Sequence, residues 1–179
     1  MKLLRYTLLA VLLTATIGAS AQTLKLHEAK SQVLFRIKNL GSWVDGTFTG
    51  MNATGVWNPA NLSGSHLDAT VKANTVTTGS KGRDKSLRGE DYFAVEQHPT
   101  IRIKSTSIEK NGNSYLLKGK LTIKNITKDI EMPFTASELG SASKLTGTLK
   151  LNCKDYKVGG NSFVMSDDVE ITIVCMILK

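Results

Sequence analysis

The chain has 179 residues, 41% of them hydrophobic and 6% aromatic, which suits one domain with a sizeable core. Its 23 basic and 15 acidic residues give a formal charge of +8, but the lysines are scattered along alternating stretches. That pattern describes a solvated outer face and argues against a nucleic-acid-binding patch, while two cysteines and three scattered histidines (His27, His66, His98) offer no metal-ligand spacing.

At the N-terminus, Lys2 and Arg5 precede an apolar run over residues 8–17 and then Ala19-Ser20-Ala21. A basic start, a short hydrophobic run and a small-x-small ending predict a secretory signal over 1–21, cut after Ala21. The run is short of the ~20 residues that span a bilayer, and no cysteine nearby could carry a lipoprotein anchor. Losing Lys2 and Arg5 leaves 21 basic residues against 15 acidic, about +6, on a single domain over 22–179. The expected location is periplasmic or secreted, which makes nucleic acid a poor partner. No later segment is apolar for long enough to form a transmembrane helix.

Residues 22–26 predict a short first strand. Val33, Phe35 and Ile37 alternate with Leu34, Arg36 and Lys38 in a second, and 44–48 begins a third. Ala53, Gly55 and Trp57 share a face in a fourth, ended by Asn58-Pro59, with Gly50 and Gly55 as candidate bends. Leu67, Ala69, Val71 and Ala73 alternate with Asp68, Thr70, Lys72 and Asn74, the clearest period-two stretch.

The rhythm then stops over 75–105. Gly79, Gly82, Arg83-Asp84, Leu87-Arg88, Asp91-Tyr92-Phe93 and Pro99 replace it. The spacing predicts a short amphipathic helix after Gly79 that turns Leu87, Tyr92 and Phe93 the same way and covers part of the sheet. Thr78 is its expected N-cap or turn residue, and Arg83-Asp84 an ion pair or cap that fixes it.

Alternation resumes with Ile101 and Ile103 against Arg102 and Lys104, then an Asn111-Gly112 turn, a strand over 115–123 and its partner over 130–135. Leu145, Gly147, Leu149, Leu151 and Cys153 form one phase of the next strand; Val169, Ile171, Ile173, Cys175 and Ile177 form one phase of the last. Strands at such intervals predict an antiparallel all-β barrel or sandwich. In the last strand Val174, Met176 and Leu178 are apolar too, so its outer face calls for a cover: the N-terminal segment, or a second subunit in a homodimer. Cys153 and Cys175 both point inward and are either a disulfide between adjacent strands or two buried thiols.

The inward phase mixes bulky residues (Phe35, Phe48, Trp57) with small ones (Ala53, Gly55, Ala69, Ala73, Gly147) and carries no titratable side chain except the cysteines. Either side chains fill a tapering core, or room remains for an apolar ligand. A hydrocarbon burying ~400 Å² there gains roughly 10 kcal/mol gross, less the costs of ordering and association.

Thr75-Val76-Thr77-Thr78-Gly79, Arg83-Asp84, Leu87, Asp91-Tyr92-Phe93, Pro99 and Ile103-Lys104-Ser105 resemble the signature of the YceI-like polyisoprenoid-binding proteins. Leu117-Lys118-Gly119-Lys120-Leu121-Thr122-Ile123, Thr127-Lys128, Gly46-Thr47-Phe48 and Trp57-Asn58-Pro59 extend the likeness over nearly all of 22–179. The resemblance implies an exported, lipocalin-like antiparallel β-barrel of about eight strands with a short α-helix beside its mouth. It also implies a bound isoprenoid, a quinone or polyprenyl lipid, held by a periplasmic carrier or storage protein that is not an enzyme and needs no other cofactor. Two positions depart from the family pattern: Ser86 where relatives often carry His, and Cys153 where they often carry Arg.

On that reading the expected wall is Phe35, Ile37, Phe48, Trp57, Leu67, Val71, Ile101, Ile103 and Leu121, with Leu87, Tyr92 and Phe93 seating the helix over it. Three other readings compete. A hydrolase needs a nucleophile beside a base, and Ser86 and Ser105 show no base partner in sequence. An outer-membrane barrel would put Arg36, Lys38, Lys72, Arg102, Lys104 and Lys118 in lipid, at ~2–4 kcal/mol each. A barrel filled by its own side chains would serve as a scaffold for a protein partner.

Overall fold

In the computed structural model, residues 24–160 and 165–178 are described, so the expected signal segment lies outside the described residues. Among the described residues, period-two sequence becomes ten strands: β1 (Lys25–Leu26), β2 (Gln32–Asn39), β3 (Ser42–Phe48), β4 (Asn52–Val56), β5 (His66–Lys72), β6 (Thr100–Asn111), β7 (Ser114–Ile123), β8 (Ile126–Leu139), β9 (Ala142–Asn152) and β10 (Met165–Leu178). All ladders are antiparallel, in the order β3-β2-β10-β9-β8-β7-β6-β5-β4, with β1 also on β10.

One sheet therefore curls on itself as a half-barrel, with two more strands than the expected eight or so. Its two ends, β3 and β4, do not pair with each other. Short links draw the seam together instead. Thr47 and Thr77 exchange backbone hydrogen bonds of 2.8 and 3.0 Å, and the Leu24 amide donates to the Gly55 carbonyl at 3.2 Å.

The registers sort the turns to two ends. Asn39↔Ser42, Lys72↔Thr100, Ile123↔Ile126 and Asn152↔Asp168 lie at one end; Asn111↔Ser114, Leu139↔Ala142 and Leu178↔Lys25 lie at the other. The long excursion over 73–99 leaves and re-enters the sheet at the first end. The second end is packed solid. Leu117, Phe134, Leu145, Ile108 and Ile177 are each at most 5% exposed, and Trp57 stands edge-on to Tyr115 and Phe134 at ring distances of 5.0 and 5.5 Å.

The chain's one α-helix among the described residues, α1 (Lys81–Arg88), follows Gly79 as its spacing predicts. It ends sooner than expected, at Gly89, so Tyr92 and Phe93 sit in turns beyond it. Those turns are held by the Phe93 amide on the Leu87 carbonyl (3.0 Å) and the Val95 amide on the Arg88 carbonyl (3.1 Å).

Cys153 and Cys175 are free thiols. Strands β9 and β10 are neighbours, but Cys175 pairs with Leu145, eight residues along β9 from Cys153. At ~3.3 Å per residue that is ~26 Å, far beyond the ~7 Å that a disulfide tolerates between Cα atoms. Burial pushes both thiols up to about 11, with Asp167 and Asp168 adding to the effect at Cys153, so both stay protonated at neutral pH.

The outer face of β10 is only half covered. The segment after β1 meets its backbone, with His27 N–H donating to Met176 O at 2.8 Å and Met176 N–H to Ser31 Oγ at 3.0 Å. Val174, Met176 and Leu178 keep part of their side chains in solvent.

Candidate ligand-binding cavity

A cavity opens at the end where the excursion leaves the sheet. Its wall is built from the inward phase of the strands: Val33, Phe35 and Ile37 of β2, Phe48 of β3, Ala69 and Val71 of β5, Ile101 and Ile103 of β6, Leu121 and Ile123 of β7, Leu149 and Leu151 of β9, and Val169, Ile171 and Ile173 of β10. Met51, Leu87, Tyr92, Phe93, Cys153, Tyr156, Val158 and Met165 complete it toward the mouth, and Thr70 also borders it. The space is about 1070 Å³ counted out to the open mouth, of which about 140 Å³ is wide enough for the centre of a water molecule. The inner space is a narrow slot that widens toward the mouth. Its exposed surface is wholly apolar, so water gains no partners there.

Ten of the twelve residues expected at the site face this slot: Phe35, Ile37, Phe48, Val71, Leu87, Tyr92, Phe93, Ile101, Ile103 and Leu121. Trp57 and Leu67 do not. Both pack against the solid core at the other end, because alternation tells which side of a strand a residue faces and not how far along the barrel it sits. The β9 and β10 residues were on the inward phase too, but their place on the wall depends on β10 crossing to β2. Met51 comes from an irregular segment with no sequence signal.

Glycine shapes the wall. A Cβ on Gly46 would lie 2.2 Å from Phe35 Cζ, because the Phe35 ring lies flat across its cross-strand partner. Lying flat keeps the ring out of the slot, and Phe35 in turn meets Phe48 (5.5 Å), which meets Phe93 edge-on (5.2 Å, 89°). Gly46→Ala is expected to push the ring into the slot. The chain should stay folded but take up an apolar ligand about tenfold more weakly by titration, roughly the affinity of two lost methylene contacts.

The helix and its turns form a lid seated by Leu87 and Phe93 on Phe48, Val71 and the fully buried Val76. A polar staple holds it. Asp84 accepts from Thr77 Oγ1 (2.8 Å), Thr78 N–H (2.7 Å) and Thr78 Oγ1 (2.6 Å). Arg83 Nε donates to Thr78 Oγ1 (2.8 Å), and Arg88 donates to the carbonyls of Asn74 (2.8 Å) and Val76 (2.7 Å). Thr78 is thus a staple residue rather than the N-cap, which is Ser80. Arg83 and Asp84 meet through Thr78, not as an ion pair. The far rim is tied in by Gly159 N–H on Asp91 O (2.8 Å) and Lys124 Nζ on the carbonyls of Glu90 (3.1 Å) and Lys157 (2.8 Å).

The Thr78 hydroxyl, more than Thr77, the Thr78 amide and Arg88, holds the Asp84 carboxyl below its usual 3.8 despite the opposing effect of burial. A lowered folded pKa means the staple stabilises the lid above the free carboxyl's pKa and lets go as pH falls through the folded value. Lid amides are therefore expected to keep their protection from neutral pH to about pH 4 and to lose it below. Asp84→Asn should raise exchange over 77–95 about tenfold at neutral pH and leave β7–β9 unchanged, as read by hydrogen exchange.

A curled antiparallel sheet, solid at one end and hollow at the other under a stapled helical lid, defines a barrel-like protein with an apolar, end-opening cavity. The sequence pattern of the YceI-like domain matches residues 24–176, and the chain belongs to that family. A UPF0312 protein of Pectobacterium atrosepticum is 30% identical, covering 93% of this chain and 92% of its own. Among solved structures, Burkholderia cenocepacia BcnA superposes with a TM-score of 0.81 at 24% identity, covering 85% of this chain and 99% of its own. A domain from Saccharophagus degradans described as polyisoprenoid-binding superposes at 0.67 with 14% identity, over 88% and 98% of the two chains.

Proposed function

We propose that the chain binds an isoprenoid-type lipid, a quinone or polyprenyl lipid, with its tail in the slot and its headgroup at the lidded mouth. The observation that carries this is a wholly apolar slot, closed below by packed core and open at one end. Such a space suits a hydrocarbon tail with its polar end outside. Membership of the YceI-like family and the likeness to a polyisoprenoid-binding domain support the same class. With a wall that exposes only apolar surface to the slot, the reading is of a binder rather than an enzyme. The signal-like residues 1–21 support a periplasmic carrier or store.

A titration with a prenylated quinone, set against the same quinone without its tail, tests the proposal. Each buried methylene contributes ~0.8 kcal/mol gross, so removing the tail is expected to weaken binding by at least about 100-fold. Equal affinity of the two compounds, or uptake of neither, would overturn it.

A further inference from the structure

Three large hydrophobic residues are exposed among the described residues, and two of them share one hairpin: Leu40 (74%) and Trp43 (44%), with Leu139 at the opposite end of the barrel. Leu40 and Gly41 form the two-residue turn between β2 and β3, both with positive φ, 50° and 76°. Such a turn prefers Asn or Asp before Gly, since a bulky side chain is strained there. The β7–β8 turn adopts positive φ at Lys124 and Asn125 with polar side chains, so the geometry does not call for leucine. Leu40 thus gains neither burial nor an easier turn.

Its surroundings point to a ligand. Trp43 lies on the outer face opposite Lys38, with the Arg36 guanidinium 4.3 Å and the Lys38 ammonium 5.2 Å from its ring centre. The hairpin stands at the cavity mouth: Asn39 pairs with Met165, and Ile37 and Met165 both line the slot. An exposed leucine tip with an indole and Lys38 on one rung behind it matches the membrane–water interface, where amphipathic rings sit at headgroup level and cations meet anionic lipid, while Arg36 lies two rungs further back, ion-paired with Asp45 at 3.6 Å.

We propose that the β2–β3 hairpin docks the mouth on an anionic bilayer surface, with Leu40 and Trp43 entering the headgroup–acyl boundary and Lys38 facing anionic headgroups. A prenyl tail then passes between bilayer and slot without crossing water. The docking stands on the hairpin itself; its purpose rests on the lipid-binding reading.

The test uses the chain from Gln22 onward and two sets of vesicles, phosphatidylcholine alone and phosphatidylcholine with phosphatidylglycerol. Co-sedimentation measures docking, and loading of a prenylated quinone is followed both from vesicles and from a dispersed solution. Leu40→Asn restores the preferred turn sequence, and Trp43→Thr keeps a strand former, so the double variant should fold.

Wild type is expected to sediment with the anionic vesicles and more weakly with the neutral ones. The double variant should bind anionic vesicles at least tenfold more weakly and load more slowly from them, with unchanged loading from dispersed ligand. Wild type that ignores anionic vesicles, or a double variant that binds them equally well, would overturn the proposal. So would a wild type whose hairpin mediates only self-association, lost in the variant by light scattering, since the tip would then be an interface between copies. Failure to load from either source, with docking intact, would sink the lipid-binding reading and leave the docking surface standing.

Discussion

Ala69→Phe is expected to weaken uptake of a prenyl chain by about 100-fold while the protein stays folded. Ala69 lies on β5 between Ala53 and Ile103 and faces the slot. Only about 140 Å³ of the slot admits the centre of a water molecule, so a ring placed there displaces ligand rather than wall. If about four methylenes lose their place, at ~0.8 kcal/mol each the loss is roughly 3 kcal/mol, or about 100-fold in affinity. Because the ring enters space that is already open, the melting temperature should change by no more than a few degrees. Parallel calorimetric titration and thermal melting would check both halves. A variant that binds as well as wild type would mean that the ligand lies elsewhere.

Leu117→Ala is expected to show the converse. Leu117 is 1% exposed in the solid end of the barrel, across from Met132 on β8, and does not border the slot. Truncating a buried leucine costs about 2–5 kcal/mol, and at 3 kcal/mol a domain of this size melts roughly 6–12 °C lower. Ligand affinity measured well below the melting transition should hold within about threefold, less than one methylene's worth. The pair separates the barrel into a half that holds the fold and a half that holds the ligand. Equal damage to binding and stability in both variants would show that no such division exists.

Much of this division is invisible to a period-two reading. Alternation placed Phe35, Val71, Ile103 and Trp57 on the same inward phase, because a strand has only two faces. Which of them reach empty space depends on height along the barrel, set by registers that run between distant strands. Trp57 is inward and still lies in the solid end, edge-on to Tyr115 and Phe134. The two cysteines repeat the lesson: Cys153 directly follows β9 and Cys175 lies on neighbouring β10, yet the register Cys175↔Leu145 separates them.

The helix was legible from Gly79, Leu87 and the charges around them, since local spacing decides an eight-residue element. Its ending at Gly89 and the folding-back of Tyr92 and Phe93 depend on backbone bonds to Leu87 and Arg88 that no periodicity encodes. Arg83 and Asp84 read as fixing the helix, which the staple upholds through other partners. Asp84 turned to Thr77 and Thr78, because a hydroxyl and an amide lay nearer than the arginine's charge. Leu40 drew no notice in the alternation, because a single apolar residue in a turn has no period.

The central claim is that the slot holds a prenyl lipid in the cell. Native mass spectrometry of the protein, purified from its own host without detergent and then extracted into organic solvent, decides this. One extra mass per chain is expected, lost on extraction, that yields a quinone or polyprenyl lipid. A protein that emerges empty and stays empty when a prenylated quinone or polyprenol is added would contradict it.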